Sequence, residues 1–114
     1  MFFPFLDYVT VSFDLSSNGT TLVHTTSYKC LVCVEITGSV NWDGLNESIR
    51  VYAEPSNLDD EINLWYFNSN LAETPRRGMG VNNAILPSGT PIRVQRIDES
   101  VEGLLHIFRL PSSP

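Results

Sequence analysis

The sequence predicts an all-β chain, a single domain over 1–114 built as an antiparallel β-sandwich or jelly roll of seven to eight strands. Three observations predict it. Apolar and polar residues alternate with a period of two along most of the chain, and helical periodicity is nearly absent. Clusters of Gly, Asn, Asp, Ser and Pro cut these alternating runs into short pieces. No helical interlude of about 10–15 residues separates them, as a parallel sheet would require. With 114 residues, 42% of them hydrophobic, the chain can close one modest core without a disulfide framework.

The first six residues, Met-Phe-Phe-Pro-Phe-Leu, make 1–7 an apolar leading segment. It lacks a basic flank and is interrupted by Pro4, so it reads as a segment packed on the core or kept for a partner subunit rather than a signal peptide. From Tyr8 to Leu15, Val9, Val11, Phe13 and Leu15 alternate with Tyr8, Thr10, Ser12 and Asp14, the pattern of a strand with one wet face. Asn18-Gly19 follows and predicts a hairpin, with Thr20 to Thr26 as the return strand, because both turn residues tolerate positive φ. Tyr28 to Thr37 is too continuously apolar for a wet face and is expected at the centre of its sheet.

Residues Gly38 to Ser48 form a loop by composition, and Ile49 to Ala53 form a short strand closed by Pro55. The stretch Ser56 to Phe67 has two readings. Ser56 and Asp59 resemble a capping box, with Leu58, Ile62 and Trp65 at helical spacing. The β-favouring Trp65-Tyr66-Phe67 supports instead a turn over Asn57 to Glu61 followed by a strand, which is the preferred reading. Asn68 to Asn83 is a long surface loop, and Ala84-Ile85-Leu86-Pro87-Ser88-Gly89-Thr90-Pro91 turns the chain into a strand over Ile92 to Ile97. The last strand, Gly103 to Leu110, sets Leu104, His106, Phe108 and Leu110 against Leu105, Ile107 and Arg109, and 111–114 is a tail.

Thirteen acidic against seven basic residues give a net charge of −6, and cations cluster no further than Arg76-Arg77. Nucleic acid is a poor partner for such a chain, because phosphate binding needs several grouped cations. No run approaches the roughly 18 apolar residues of a membrane span, so no membrane insertion is expected. Cys30 and Cys33 have the Cys-x-x-Cys spacing, but in a strand they point to opposite faces and read as free, hydrophobe-like thiols.

No nucleophile elbow, metalloprotease pair or phosphate-cradling loop is present, and no catalytic residue or enzyme activity is expected. His106 reads as a core or sheet-face histidine. An enzyme or ligand carrier would need a deep pocket lined by His106 and Cys30. Asp59, Asp60 and Glu61 are the candidate metal ligands, for calcium, which takes oxygen donors from loops; no other cofactor is expected. The better functional signal is aromatic. Trp42 lies in a Gly/Asn/Asp loop, and Trp65-Tyr66 borders the Asn-rich loop that carries Arg76 and Arg77. Rings supply contact area at low entropic cost while polar neighbours fix orientation. Trp65 is assigned to the core, and Trp42, Tyr66, Asn68, Arg76 and Arg77 are the candidate receptor- or ligand-binding residues.

Ile85-Leu86-Pro87-Ser88-Gly89-Thr90, followed by Ile92-Arg93-Val94, resembles the closing part of the protruding domain of nodavirus capsid proteins, where a similar Leu-Pro-x-Gly-Thr turn feeds a late strand. This sequence differs in continuing through a further strand, Gly103 to Leu110. The resemblance implies a spike-forming domain on a virion surface, facing outside the cell, that self-associates as a homodimer or homotrimer and meets a host-cell receptor or glycan. The alternative is a carbohydrate-binding module or lectin of β-sandwich type, in which Trp42, Trp65 or Tyr66 would stack on sugar rings.

Overall fold

The computed structural model describes residues 7–16, 18–37, 48–68, 83–97 and 100–111. They form β1 (Asp7–Leu15), β2 (Gly19–Thr25), β3 (Cys30–Ile36), β4 (Ser48–Ala53), β5 (Ile62–Asn68), β6 (Asn83–Leu86), β7 (Pro91–Ile97) and β8 (Val101–Arg109). Two four-stranded sheets result, ordered β1-β8-β3-β6 and β2-β7-β4-β5. The ladders within them are antiparallel. Pairing β1 with β8, β2 with β7, β3 with β6 and β4 with β5 is what a long antiparallel ribbon gives when it is rolled over on itself, so the sandwich is a jelly roll.

The period-two pattern sets the layers. In β8, Val101, Gly103, Leu105 and Ile107 are buried while the residues that alternate with them are partly or fully exposed. In β7, Ile92 and Val94 turn inward in the same way. They meet Phe13, Cys30, Val32 and Leu86 of the first sheet and Ile49, Val51, Leu64 and Trp65 of the second in one core. Each fully buried aliphatic side chain contributes about 1.5–3 kcal/mol relative to exposure. As expected, β3 is interior to its sheet, flanked by β8 and β6, and Trp65 belongs to the core at 8% exposure.

The residues between Pro55 and Ile62 form turns and bends, and β5 begins at Ile62, so the turn-and-strand reading holds over the helical one. A bulge between Val51 and Tyr52 of the β4/β5 ladder leaves Leu64 as the extra residue. Leu64 and Trp65, adjacent in sequence, are therefore both buried, which plain alternation would forbid.

The predicted hairpin does not form. β1 pairs with β8 and β2 with β7, so Asn18-Gly19 carries the chain from one sheet to the other. Gly19 does adopt positive φ, 129°. Nine consecutive pairs with β8 give β1 a more extensive partner than its sequence neighbour.

Among the described residues, Arg96 is a charged side chain that faces inward. Arg96 is 6% exposed, and its Nη1 donates to Thr21 Oγ1 and to the Val94 carbonyl, both at 3.1 Å. These bonds supply partners that a buried guanidinium requires.

Candidate functional site

The turns β2–β3, β4–β5 and β6–β7 lie at one end of a jelly roll, and here the first and the last of them are tied together. Thr26 Oγ1 donates to the Pro87 carbonyl at 2.7 Å and accepts from the Thr90 N–H at 2.8 Å. Thr90 Oγ1 donates to the same carbonyl at 2.8 Å. The backbone closes the clamp, with Thr26 N–H donating to Thr90 O at 3.0 Å and Gly89 N–H to Thr26 O at 2.7 Å. Gly89, at φ 81°, supplies the left-handed residue that the Leu-Pro-Ser-Gly-Thr turn needs. That motif thus acts as a corner joint.

Beside the joint is a groove of about 520 Å³, within the usual range for ligand sites, lined by Tyr28, Lys29, Asn57, Pro87, Ser88 and Arg109 among others. The Arg109 guanidinium lies 4.8 Å from the Tyr28 ring centroid. Leu110 N–H donates to Lys29 O at 2.9 Å, which holds the end of β8 against the start of β3. None of the described residues lining the groove is acidic. By contrast, Arg93 is paired with Glu54, and Arg50 with Glu61 at 2.6 Å. In a chain of net charge −6 the groove is a local concentration of positive charge.

The outer face of the β1-β8-β3-β6 sheet has two ordered rows. Tyr8, Phe108, Leu31 and Ile85 fall in register across all four strands, with Tyr8 and Ile85 exposed. The next row is Thr10, His106, Cys33 and Asn83. Tyr8 stacks on Phe108 at 4.7 Å between ring centroids, and its hydroxyl lies 2.7 Å from His106 Nδ1. The other ring nitrogen, Nε2, meets Glu35 Oε1 at 2.7 Å. Thr10 Oγ1 donates to the Tyr8 hydroxyl at 3.2 Å.

His106 faces outward and Cys30 is fully buried on the inner side of the sheet, so they do not share a pocket. Both thiols are free, as alternation predicted. Burial pushes Cys30 up to about 11 and raises Cys33 as well. Burial also lowers His24, which a bulge between Leu22 and His24 sets opposite Ile92.

Among the sequence-selected residues, Tyr66 lies in β5 opposite Arg50, half-buried. Asn68 ends β5 opposite Ser48. Trp42, Arg76 and Arg77 lie outside the described residues. Asp59, Asp60 and Glu61 are exposed and border a cavity of about 450 Å³ with Arg50 and Asn63. Glu61 is already engaged by Arg50, whose guanidinium also covers the Tyr52 ring at 3.9 Å. Among the described residues no three His, Cys, Asp or Glu side chains are grouped for a metal ion. Also among them, no helix is long and apolar enough to cross a membrane.

Tyr28, Lys29, Asn57 and Arg109 escaped the sequence reading. Each is unremarkable locally, and only the jelly-roll order brings three sequence-distant turns together. The signal that pointed there was the Leu-Pro-Ser-Gly-Thr turn, which contributes Pro87 and Ser88 to the groove wall. Comparison with known proteins finds no matching family model, no matching curated protein and no matching solved structure.

Proposed function

We propose that this chain is a non-enzymatic viral surface domain, of the capsid protruding or spike kind, that self-associates and recognises a host-cell receptor. The observation that carries the reading is the end groove: a cationic, partly aromatic concavity beside the clamped β2–β3 and β6–β7 turns. Recognition favours such rims, because a rigid frame loses little entropy on binding. Jelly rolls serve in viral coats and in lectins alike, so topology supports the reading by analogy only. The resemblance around Leu86 to Thr90 adds the viral setting, and the row of Tyr8, Phe108, Leu31 and Ile85, exposed at Tyr8 and Ile85, supports self-association.

The second reading, a carbohydrate-binding module or lectin, is favoured by the same groove, where Tyr28, Asn57 and Ser88 offer the ring and polar groups that sugars use. Light scattering on the eluting chain tests self-association, with a dimer or trimer expected; a strict monomer at high micromolar concentration rejects it. Saturable binding of the labelled chain to cultured cells, lost when Arg109→Glu reverses the groove charge, tests recognition. Equal binding by that variant rejects the groove as the site. A glycan array separates the readings, since a lectin shows a defined sugar preference on isolated glycans.

A further inference from the structure

We infer that the end groove takes a carboxylate-bearing sugar, a sialic or uronic acid residue, with Arg109 and Lys29 as the anion-holding pair. The inference rests on the reading of the groove as the recognition site and names the chemistry it would accept.

Three features select this ligand. The first is charge: Arg109 and Lys29 line the same concavity, and none of its described lining residues is acidic. The second is orientation. The Arg109 guanidinium carbon lies over the Tyr28 ring, 4.8 Å from its centroid. A cation held over a ring face spends no N–H donor on that contact, so the donors that can make parallel bonds to a carboxylate stay available. Its strand partner in β1 is Asp7, whose Oδ1 accepts from the Tyr8 N–H at 2.8 Å. That bond engages one oxygen of this carboxylate with a backbone donor. The third is the remainder of the lining. Asn57 and Ser88 provide donors and acceptors for hydroxyl groups, and Pro87 and Ile85 provide apolar surface for the C–H face of a pyranose. A bare inorganic anion would leave those groups unused. The clamp of Thr26, Pro87 and Thr90 holds the wall in place before a ligand arrives.

The experiment is a titration of the full chain followed by amide NMR shifts, with four probes: 3′-sialyllactose, a glucuronic acid disaccharide, neutral lactose and inorganic phosphate. The expected result is that at least one acidic sugar shifts amides of Tyr28, Lys29, Ser88 and Arg109, and binds roughly tenfold or more tightly than lactose or phosphate. Which acidic sugar does so identifies the source of the carboxylate. Arg109→Gln and Lys29→Gln should each weaken that binding roughly tenfold, and added salt should weaken it in the native chain. Both positions are exposed, and an unchanged amide spectrum away from the groove verifies folding. Ser88→Phe, which fills the groove and leaves both cations in place, should abolish binding. Equal affinity for lactose, or for phosphate, overturns the carboxylate inference. Absence of binding by all four probes overturns it too, while saturable, Arg109-dependent attachment to cells would keep the recognition reading standing.

Discussion

The Tyr8 hydroxyl lies 2.7 Å from Nδ1 of His106, across the ladder between the first and last strands and diagonal to the direct pair of Thr10 with His106. Because ionised Glu35 can only accept, His106 Nε2 carries a proton toward it at 2.7 Å. Nδ1 of the neutral ring then accepts from Tyr8, whose oxygen accepts in turn from Thr10. The chain of bonds runs one way, from Thr10 through Tyr8 and His106 to Glu35. When the ring is neutral, nitrogen NMR of His106 in the native chain should therefore report the Nε2–H tautomer. Tyr8→Phe removes the donor, should admit the other tautomer, and should cost only about 0.5–1 kcal/mol at this half-exposed site. An unchanged tautomer in Tyr8→Phe would show that Glu35 alone sets it.

Thr26→Val tests the corner joint. Valine keeps the shape of threonine and loses the hydroxyl, so the buried Thr90 N–H loses its acceptor and the Pro87 carbonyl one of two donors. A buried donor left unpaired costs about 1–3 kcal/mol. The denaturant midpoint should fall accordingly with an unchanged slope, since the surface exposed on unfolding is the same. No fall in midpoint would mean that water replaces the hydroxyl and that the joint adds little.

The fold class and the strand interiors were legible because each follows from local alternation, whereas Trp65 was legible as a core residue only from its size and apolar surface, since the bulge that buries it beside Leu64 breaks the alternation. Strand partners were not, as Asn18-Gly19 illustrates: a turn signal states that the chain reverses, not whom it pairs with on the way back. The groove was illegible for the same reason. Tyr28, Asn57, Ser88 and Arg109 come from four separate stretches, and their convergence exists only in the jelly-roll order. His106 was placed correctly on a sheet face, yet its partners Tyr8 and Glu35 lie 98 and 71 residues away and carry no local mark.

Gly103→Ala should destabilise although an alanine suits alternation. Gly103 faces Phe13 across the ladder. A Cβ there would come within 2.6 Å of both the Phe13 ring and the Glu35 carbonyl oxygen. The ring can yield, but the carbonyl belongs to the neighbouring strand and cannot move without disturbing the β3/β8 ladder. The expected cost is about 1–3 kcal/mol by chemical denaturation. Phe13→Leu added to Gly103→Ala should recover only part of it, and full recovery would show that the carbonyl contact is unimportant.

Acid should weaken the fold through His24. Burial holds its folded value below the ordinary 6.5, so the unfolded chain binds a proton more readily. The resulting stability is fully present above 6.5 and is lost as pH falls toward the folded value. Between about pH 7 and about pH 5 the loss from this one group cannot exceed about 1.4 kcal/mol per pH unit. His24→Leu removes the proton acceptor, so its unfolding free energy should change less over that interval than that of the native chain. Identical pH dependence in both proteins would remove His24 as a source of acid sensitivity.

The two thiols should behave as separate, sluggish groups. Cys30 is fully buried in the core with its value raised to about 11, and Cys33, raised as well, stands on the outer face opposite His106. Thiolate is the reactive form, so both are nearly all thiol at neutral pH. A disulfide reagent should modify Cys33 slowly in the native chain and Cys30 only after denaturation, with Cys33→Ser removing the native reaction. Opposite faces of one strand also keep the sulfurs from meeting without backbone rearrangement. Mild oxidant should therefore leave the native monomer without an internal bridge, and a quickly formed Cys30–Cys33 disulfide would mean that β3 separates from its neighbours far more readily than its central position allows.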